Sequence, residues 1–181
     1  MAPAQPFETT LAAAQRGAPW ACEALWRRHA PGVVGYLRLR GARDVEDLTS
    51  EVFLGAFRSL GSFRGDEREL RSWLLTIAHH RLVDARRRAA CRPRTTEEPD
   101  VLDRARGGDV EEDALARLGL DAIRELCGHL APRQRDVLLL RTVGDLTVSE
   151  VARAMGTTVT AVKSLQHRAV VTLRAAMVGQ P

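Results

Sequence analysis

Apolar residues recur along this chain every three or four positions, the interval that lines one face of a helix, and the strict alternation of a half-buried strand is scarce. The spacing predicts helices over 19–40, 44–60 and 68–88, separated by the Gly41 region and by Gly61-Ser62-Phe63-Arg64-Gly65-Asp66. A second set is predicted over 111–129, 132–142, 148–155 and 159–177. Between the sets, residues 89–113 hold Pro93, Pro99, Gly107, Gly108, many charges and almost no large apolar residue, so this stretch cannot bury a core and reads as a connector. The expected architecture is all-α: a tail over 1–18, a helical domain over 19–90, a flexible linker over 91–112 and a second helical domain over 113–177.

The second domain carries the sharper local signals. Thr147-Val148-Ser149-Glu150 fits a capping box, in which hydroxyl and carboxylate satisfy each other's free backbone N–H groups at a helix start. That helix is short, because Gly156 suits a left-handed turn and Thr157-Thr158 then supplies a hydroxyl N-cap for the next one. Two helices joined by a tight glycine turn form a helix-turn-helix unit. On its second helix Val162, Leu165, Ala169, Leu173 and Ala176 share one stripe, while Thr160, Lys163, Ser164, His167 and Arg174 lie opposite. A polar face starting at a helix N-terminus offers donors to major-groove base edges, although an ordinary solvated face would carry the same residue types.

In the first domain, the helix from Asp44 to Phe57 is amphipathic with an acidic start that suits the helix dipole. Asp47 and Glu51 stand four apart, but no histidine or further carboxylate lies at ligand spacing, so no metal site is expected. Along 68–88 the buried stripe is Leu70, Leu74, Ile77, Ala78, Leu82 and Ala85, with Trp73, Thr76, His80 and Arg87 on its flank. An aromatic ring beside hydrogen-bonding groups and arginines can hold an unstacked base and its phosphates; a tryptophan at helical spacing also serves as plain core.

Charge distribution adds to this picture more than the net charge of +4. Arg81, Arg86, Arg87, Arg88, Arg92 and Arg94 stand against Asp84 alone, and the following stretch reverses sign with Glu97, Glu98, Asp100, Asp103, Asp109, Glu111, Glu112 and Asp113. Cys22, Cys91 and Cys127 are odd in number and widely spaced, which fits neither a disulfide framework nor a metal site. The longest apolar run, Val137 to Leu140, is far short of a membrane span, and residues 1–10 show no signal-peptide pattern, so a cytoplasmic protein without a membrane partner is expected. Nothing in the chain supplies the carboxylate cluster, nucleophile system or phosphate-cradling glycine loop of an enzyme acting on nucleic acid.

The run DVEDLTSEVFLGAF, Asp44 to Phe57, resembles the polymerase-binding helix of the extracytoplasmic-function (ECF) sigma factors of bacterial RNA polymerase. Phe63-Arg64, Arg71 to Ala78 and the basic stretch Arg81 to Arg88 resemble that family's promoter-melting segment. Leu130 to Val137 and Val162-Lys163-Ser164 resemble its second conserved domain. The resemblance implies a non-enzymatic initiation factor that binds core RNA polymerase and reads promoter DNA, double-stranded at the −35 element and single-stranded at the −10 element. Neither cofactor, metal nor catalytic residue is implied, and an anti-sigma factor is a possible further partner.

Carried over position by position, the resemblance assigns polymerase binding to Asp44, Glu46, Asp47, Leu48, Glu51, Val52 and Leu54. It assigns −10 recognition and melting to Phe63, Arg64, Trp73, Thr76, His80, Arg81, Asp84 and Arg87. The −35 surface comprises Thr147, Glu150, Thr158, Thr160, Lys163, Ser164, His167 and Arg168. The acidic linker is expected to thread a basic polymerase channel. Departures from the family pattern are Ser50 for a usual glutamine, His79-His80 for a common Arg-Asn, and Leu165 and Val170 where many members have arginine.

The competing reading is a response-regulator output protein, because Leu130 to Ala176 also resembles that family's four-helix DNA-binding domain, which acts without core polymerase. The first domain separates the two, since it lacks a receiver's alternating strands and paired acidic residues.

Overall fold

The computed structural model describes residues 5–91 and 122–178, and among these every regular element is helical. Helix α1 (Phe7–Gln15) comes first and corrects the expectation of a tail, because Phe7, Leu11, Ala13 and Ala14 are buried and the helix packs on the one beginning at Pro19. Its last residue ties the helix down: the Gln15 amide donates to the carbonyls of Leu60 at 3.1 Å and Phe63 at 2.9 Å.

Pro19 opens α2 (Pro19–Leu39) at the first turn, where a missing N–H costs nothing. Pro31 lies inside α2, and the helix runs on through it with His29, Ala30, Val33, Tyr36 and Leu37 buried. The helix ends in paired hydrogen bonds, Gly41 N–H to Arg38 C=O at 2.9 Å and Ala42 N–H to Leu37 C=O at 3.0 Å.

Helix α3 (Val45–Ser59) buries Val45, Leu48, Thr49, Val52, Phe53 and Ala56, and a short 3-10 turn (Leu60–Ser62) comes after it. Phe53 anchors an aromatic cluster, its ring centroid 4.4 Å from that of Trp26 and 5.7 Å from that of Phe57. Helix α4 (Glu67–Cys91) starts at a reciprocal cap, in which Glu69 N–H donates to the Asp66 carboxylate at 2.7 Å and Asp66 N–H to that of Glu69 at 2.8 Å. It buries Leu70, Leu74, Leu75, Ala78 and Leu82 and packs against α2 and α3.

The second half comprises α5 (122–128), α6 (Pro132–Thr142), α7 (Val148–Ala154) and α8 (Val159–Val178) around Val137, Leu140, Leu146, Val151, Val162 and Ala169. The linker expected over 91–112, and the start of the helix expected at 111, lie outside the described residues apart from Cys91. The halves touch, since α4 packs on α6 and α7. In the turn after α6 Gly144 is required for want of a side chain: a Cβ there would lie 2.5 Å from Leu146 Cδ1, 2.6 Å from the Leu140 carbonyl oxygen and 3.2 Å from Leu75 Cδ1 across the contact. No helix among the described residues is long and apolar enough to cross a membrane.

Candidate nucleic-acid interface

The predicted capping box at the start of α7 is present: Thr147 N–H donates to the Glu150 carboxylate at 2.6 Å and Glu150 N–H to the Thr147 hydroxyl at 3.2 Å. Burial works to raise the Glu150 pKa, but the hydrogen bonds from Thr147 and the nearby Arg68 and Arg153 hold it below its ordinary value. At the other end of α7, Gly156 takes φ +58°, a left-handed conformation in which a Cβ is strained, and Thr157 N–H closes the turn on Ala152 C=O at 2.9 Å. Thr158 then caps α8, its hydroxyl accepting from Ala161 N–H at 3.1 Å.

These three local devices set the angle of α8. Val162 and Ala169 are fully buried, Leu165, Leu173 and Ala176 partly so, while Thr160, Lys163, Ser164, His167 and Arg168 are exposed. The predicted −35 residues of α8 thus form one free face, next to Thr158 at its N-terminus. Thr147 and Glu150 differ, since their side chains are committed to the cap and Glu150 also faces Arg68 at 3.9 Å.

On α4 the second cluster assembles. Trp73 is half-buried and stacks on Phe63, ring centroids 5.2 Å apart and planes 27° from parallel, which makes a two-ring platform. Arg64 turns back on its own loop, donating to the carbonyls of Gly61 at 2.9 Å and Phe63 at 2.7 Å. The Thr76 hydroxyl donates to Ser72 C=O at 2.9 Å. Arg81 lies over Gly55 of α3, where a Cβ would sit 3.3 Å from its guanidinium, and Asp84 and Arg87 are exposed further along.

The predicted polymerase-binding residues divide by burial. Asp44, Glu46 and Asp47 are exposed, Glu51 is half-buried and Leu54 is 57% exposed. Leu48 and Val52, at 6% and 0%, point into the core, because the apolar period that defines the buried stripe of α3 includes them. Ser50 donates to the Glu46 carbonyl at 3.0 Å, so its hydroxyl is satisfied by its own helix.

Two family models match the chain, Sigma-70 region 2 over residues 25–91 and Sigma-70, region 4 over 120–173. The ECF RNA polymerase sigma factor SigD of Mycobacterium tuberculosis is 32% identical over 151 residues, 80% of this chain and 71% of SigD. The chain belongs to the ECF sigma factors. BldN of Streptomyces coelicolor is 37% identical to this sigma factor over 142 residues, 76% of the chain but only about half (52%) of the length of BldN. The structure of CnrH in complex with the cytosolic domain of CnrY has the same fold, with a TM-score of 0.65 at 23% identity, covering 97% of this chain and 99% of CnrH.

One cluster of this ECF sigma factor was not legible as a site in its sequence. Arg40 at the end of α2 and Asp136 on α6 form an ion pair with side chains only 3% and 9% exposed. The Tyr36 hydroxyl lies 3.0 Å from His79 Nδ1, which is 3.9 Å from the Asp136 carboxylate. Burial, then Arg40, His80 and Arg86, push the His79 pKa down to about 4, so at neutral pH the ring is uncharged and its hydrogen bond with the Tyr36 hydroxyl is one between neutral groups. Burial raises the Asp136 pKa against the opposing pull of Arg40, Arg86, Arg135 and Arg133. Burial also lowers that of Arg86, whose guanidinium donates to the Arg40 carbonyl. The available sequence signal was an aspartate one turn into an apolar helix, which by itself names no partner.

Proposed function

We propose that this sigma factor docks on core RNA polymerase through the acidic, Leu54-bearing face of α3, reads the −35 element with α8 and helps open the −10 element with α4. The observation that carries the reading is the capped α7–turn–α8 unit, which leaves Thr160, Lys163, Ser164, His167 and Arg168 together and unobstructed on one helix face. A helix seated in the major groove directs such residues at base edges near its N-terminus and at phosphates along its flank.

Opening duplex DNA requires unstacking, at a few kcal/mol per base, and the protein must offset that with contacts available only to the unstacked base. The Phe63–Trp73 platform supplies a stacking surface, while Arg81, Arg87 and Arg88 attract the strand's phosphates. Bond making belongs to the polymerase in this scheme, and the sigma factor supplies recognition alone. The chain would work in the cytoplasm with core enzyme. An anti-sigma partner belongs to the same reading, and CnrH, of the same fold, has been solved with the cytosolic domain of CnrY.

Transcription in vitro from a promoter library, with purified core polymerase and this protein, tests the whole scheme; absence of any start site dependent on the protein would sink it. On a promoter so found, Trp73→Ala is expected to lower open-complex formation on duplex DNA roughly tenfold or more, with activity restored on a template already melted at −10. Equal activity of the variant on both templates would remove Trp73 from the opening step.

A further inference from the structure

Phe63 is the aromatic member of the −10 cluster that stands off α4. Trp73, Thr76, His80, Arg81 and Asp84 share that helix, so one backbone sets their spacing, and His80 is held further by donating to the Ala154 carbonyl at 2.9 Å. Phe63 lies instead on the loop 61–66 that leads into α4, where it is half-buried and every other residue is exposed. Its ring stays against that of Trp73, 5.2 Å between centroids, only while the loop backbone keeps its place.

That place is set from α1. Gln15, the last residue of α1, donates to the Leu60 carbonyl at 3.1 Å and to the Phe63 carbonyl at 2.9 Å, reaching across 45 and 48 residues of chain. Both acceptors are carbonyl oxygens, so it is the side-chain nitrogen, with its two N–H groups, that faces the turn. Neither carbonyl depends on Gln15 for a partner: Leu60 C=O also accepts from Phe63 N–H at 3.0 Å, and Phe63 C=O from Arg64 at 2.7 Å. Those bonds, with Ser62 donating to the Ser59 carbonyl at 2.9 Å, are made within the turn, so they fix its shape and not its position on the domain. Gln15 fixes the position, because it grips residues 60 and 63 at once and ties them to a helix anchored by the buried Phe7, Leu11, Ala13 and Ala14. It is itself half-buried, which limits competition from water for both bonds.

We infer that Gln15 is a positioning residue for promoter opening: from α1 it holds the Leu60–Phe63 turn so that the Phe63 ring lies against Trp73 as one platform for an unstacked base. The inference rests on the functional reading above. A platform offsets the cost of unstacking best when it is already in place, since a ring that must be ordered as the base arrives returns part of its contact energy as lost freedom. Gln15 acts through Phe63 and needs no contact of its own with DNA. The −10 module then begins at α1, ahead of residues 25–91 that match Sigma-70 region 2.

The test uses the full chain carrying Gln15→Glu, which keeps the shape but turns an acceptor toward both carbonyls, or Gln15→Met, which keeps the stem and removes the donors. Fluorine NMR of protein labelled with 5-fluorotryptophan reads the platform. The Trp73 resonance, identified by its loss in Trp73→Phe, senses the ring current of Phe63, and Phe63→Ala marks where it falls without that ring. Open-complex formation with core polymerase, on duplex promoter and on a template already melted at −10, reads the consequence. Expected for both variants is a Trp73 resonance moved toward the Phe63→Ala position and opening of duplex DNA slowed roughly five- to tenfold, with affinity for core polymerase unchanged and activity restored on the melted template. Should Gln15→Glu lose helix content, Gln15→Met decides by the same measurements. The inference is overturned if the Trp73 resonance stays at its wild-type position, or if activity on the two templates changes alike, as a merely structural role would have it. If the wild type opens no promoter at all, the functional reading fails and the opening role of Gln15 with it, while the resonance still decides whether Gln15 sets the stack.

Discussion

Leu48→Ala and Leu54→Ala, only six residues apart on α3, are expected to fail in opposite ways. Leu48 is 6% exposed among Val45, Val52 and Phe53, and truncating it leaves a cavity that costs about 3 kcal/mol, a fall in Tm of roughly 6–12 °C. Its affinity for core polymerase, measured below that Tm, should match the wild type. Leu54 is 57% exposed, so its truncation should move stability by no more than about 0.5 kcal/mol. A large apolar side chain held free on an otherwise acidic face is the expected anchor of a partner, worth ~1–2 kcal/mol, or roughly tenfold in affinity. Thermal unfolding followed by circular dichroism, together with titration against labelled core polymerase, separates the two. A Leu54→Ala variant that binds core like the wild type would show that the polymerase face lies elsewhere.

On α8, Lys163→Ala should relax preference at one −35 base, with a loss of about 1–3 kcal/mol on the parental promoter and less on promoters already altered at that base. Arg168 lies on the same exposed face one turn and more further along, its Nε donating to the Ser164 carbonyl at 3.4 Å, which turns the guanidinium toward the helix flank where phosphates pass. Its replacement by alanine should weaken all promoters alike and flatten the dependence of log K on log salt by close to one contact. Binding of each variant holoenzyme to promoters mutated singly across the −35 element, at two salt concentrations, distinguishes base contacts from phosphate contacts. If both variants keep the parental base preferences and salt slope, α8 does not read the element.

Much of this protein is legible in its sequence, and the legible parts are local ones. The start of α7 follows from Thr147 and Glu150 because a capping box closes within four residues. The turn into α8 follows from Gly156 and Thr158 for the same reason. Helix type and order follow from periodicity, and membership of the ECF sigma factors from motifs carried on contiguous runs. Phe7, Leu11 and Ala14 stand at helical spacing and are buried in α1, a local signal at odds with the expected tail.

What the sequence could not decide is whatever depends on residues far apart meeting. Periodicity says that Leu48, Val52 and Leu54 are apolar on a helix, but only the packing of α2 and α4 against α3 determines that the first two are enclosed and the third is left to solvent. Nor does anything near Arg40 or Asp136 in the chain name the other as partner. Their pairing exists because the end of α2 and α6 meet in the assembled protein, where α4 packs on α6 and α7, and a charge placed there is stable only in that arrangement. Local backbone chemistry is determined within a few residues and is written in the sequence; burial and buried ion pairing are properties of an assembled interior, which the tertiary structure alone decides.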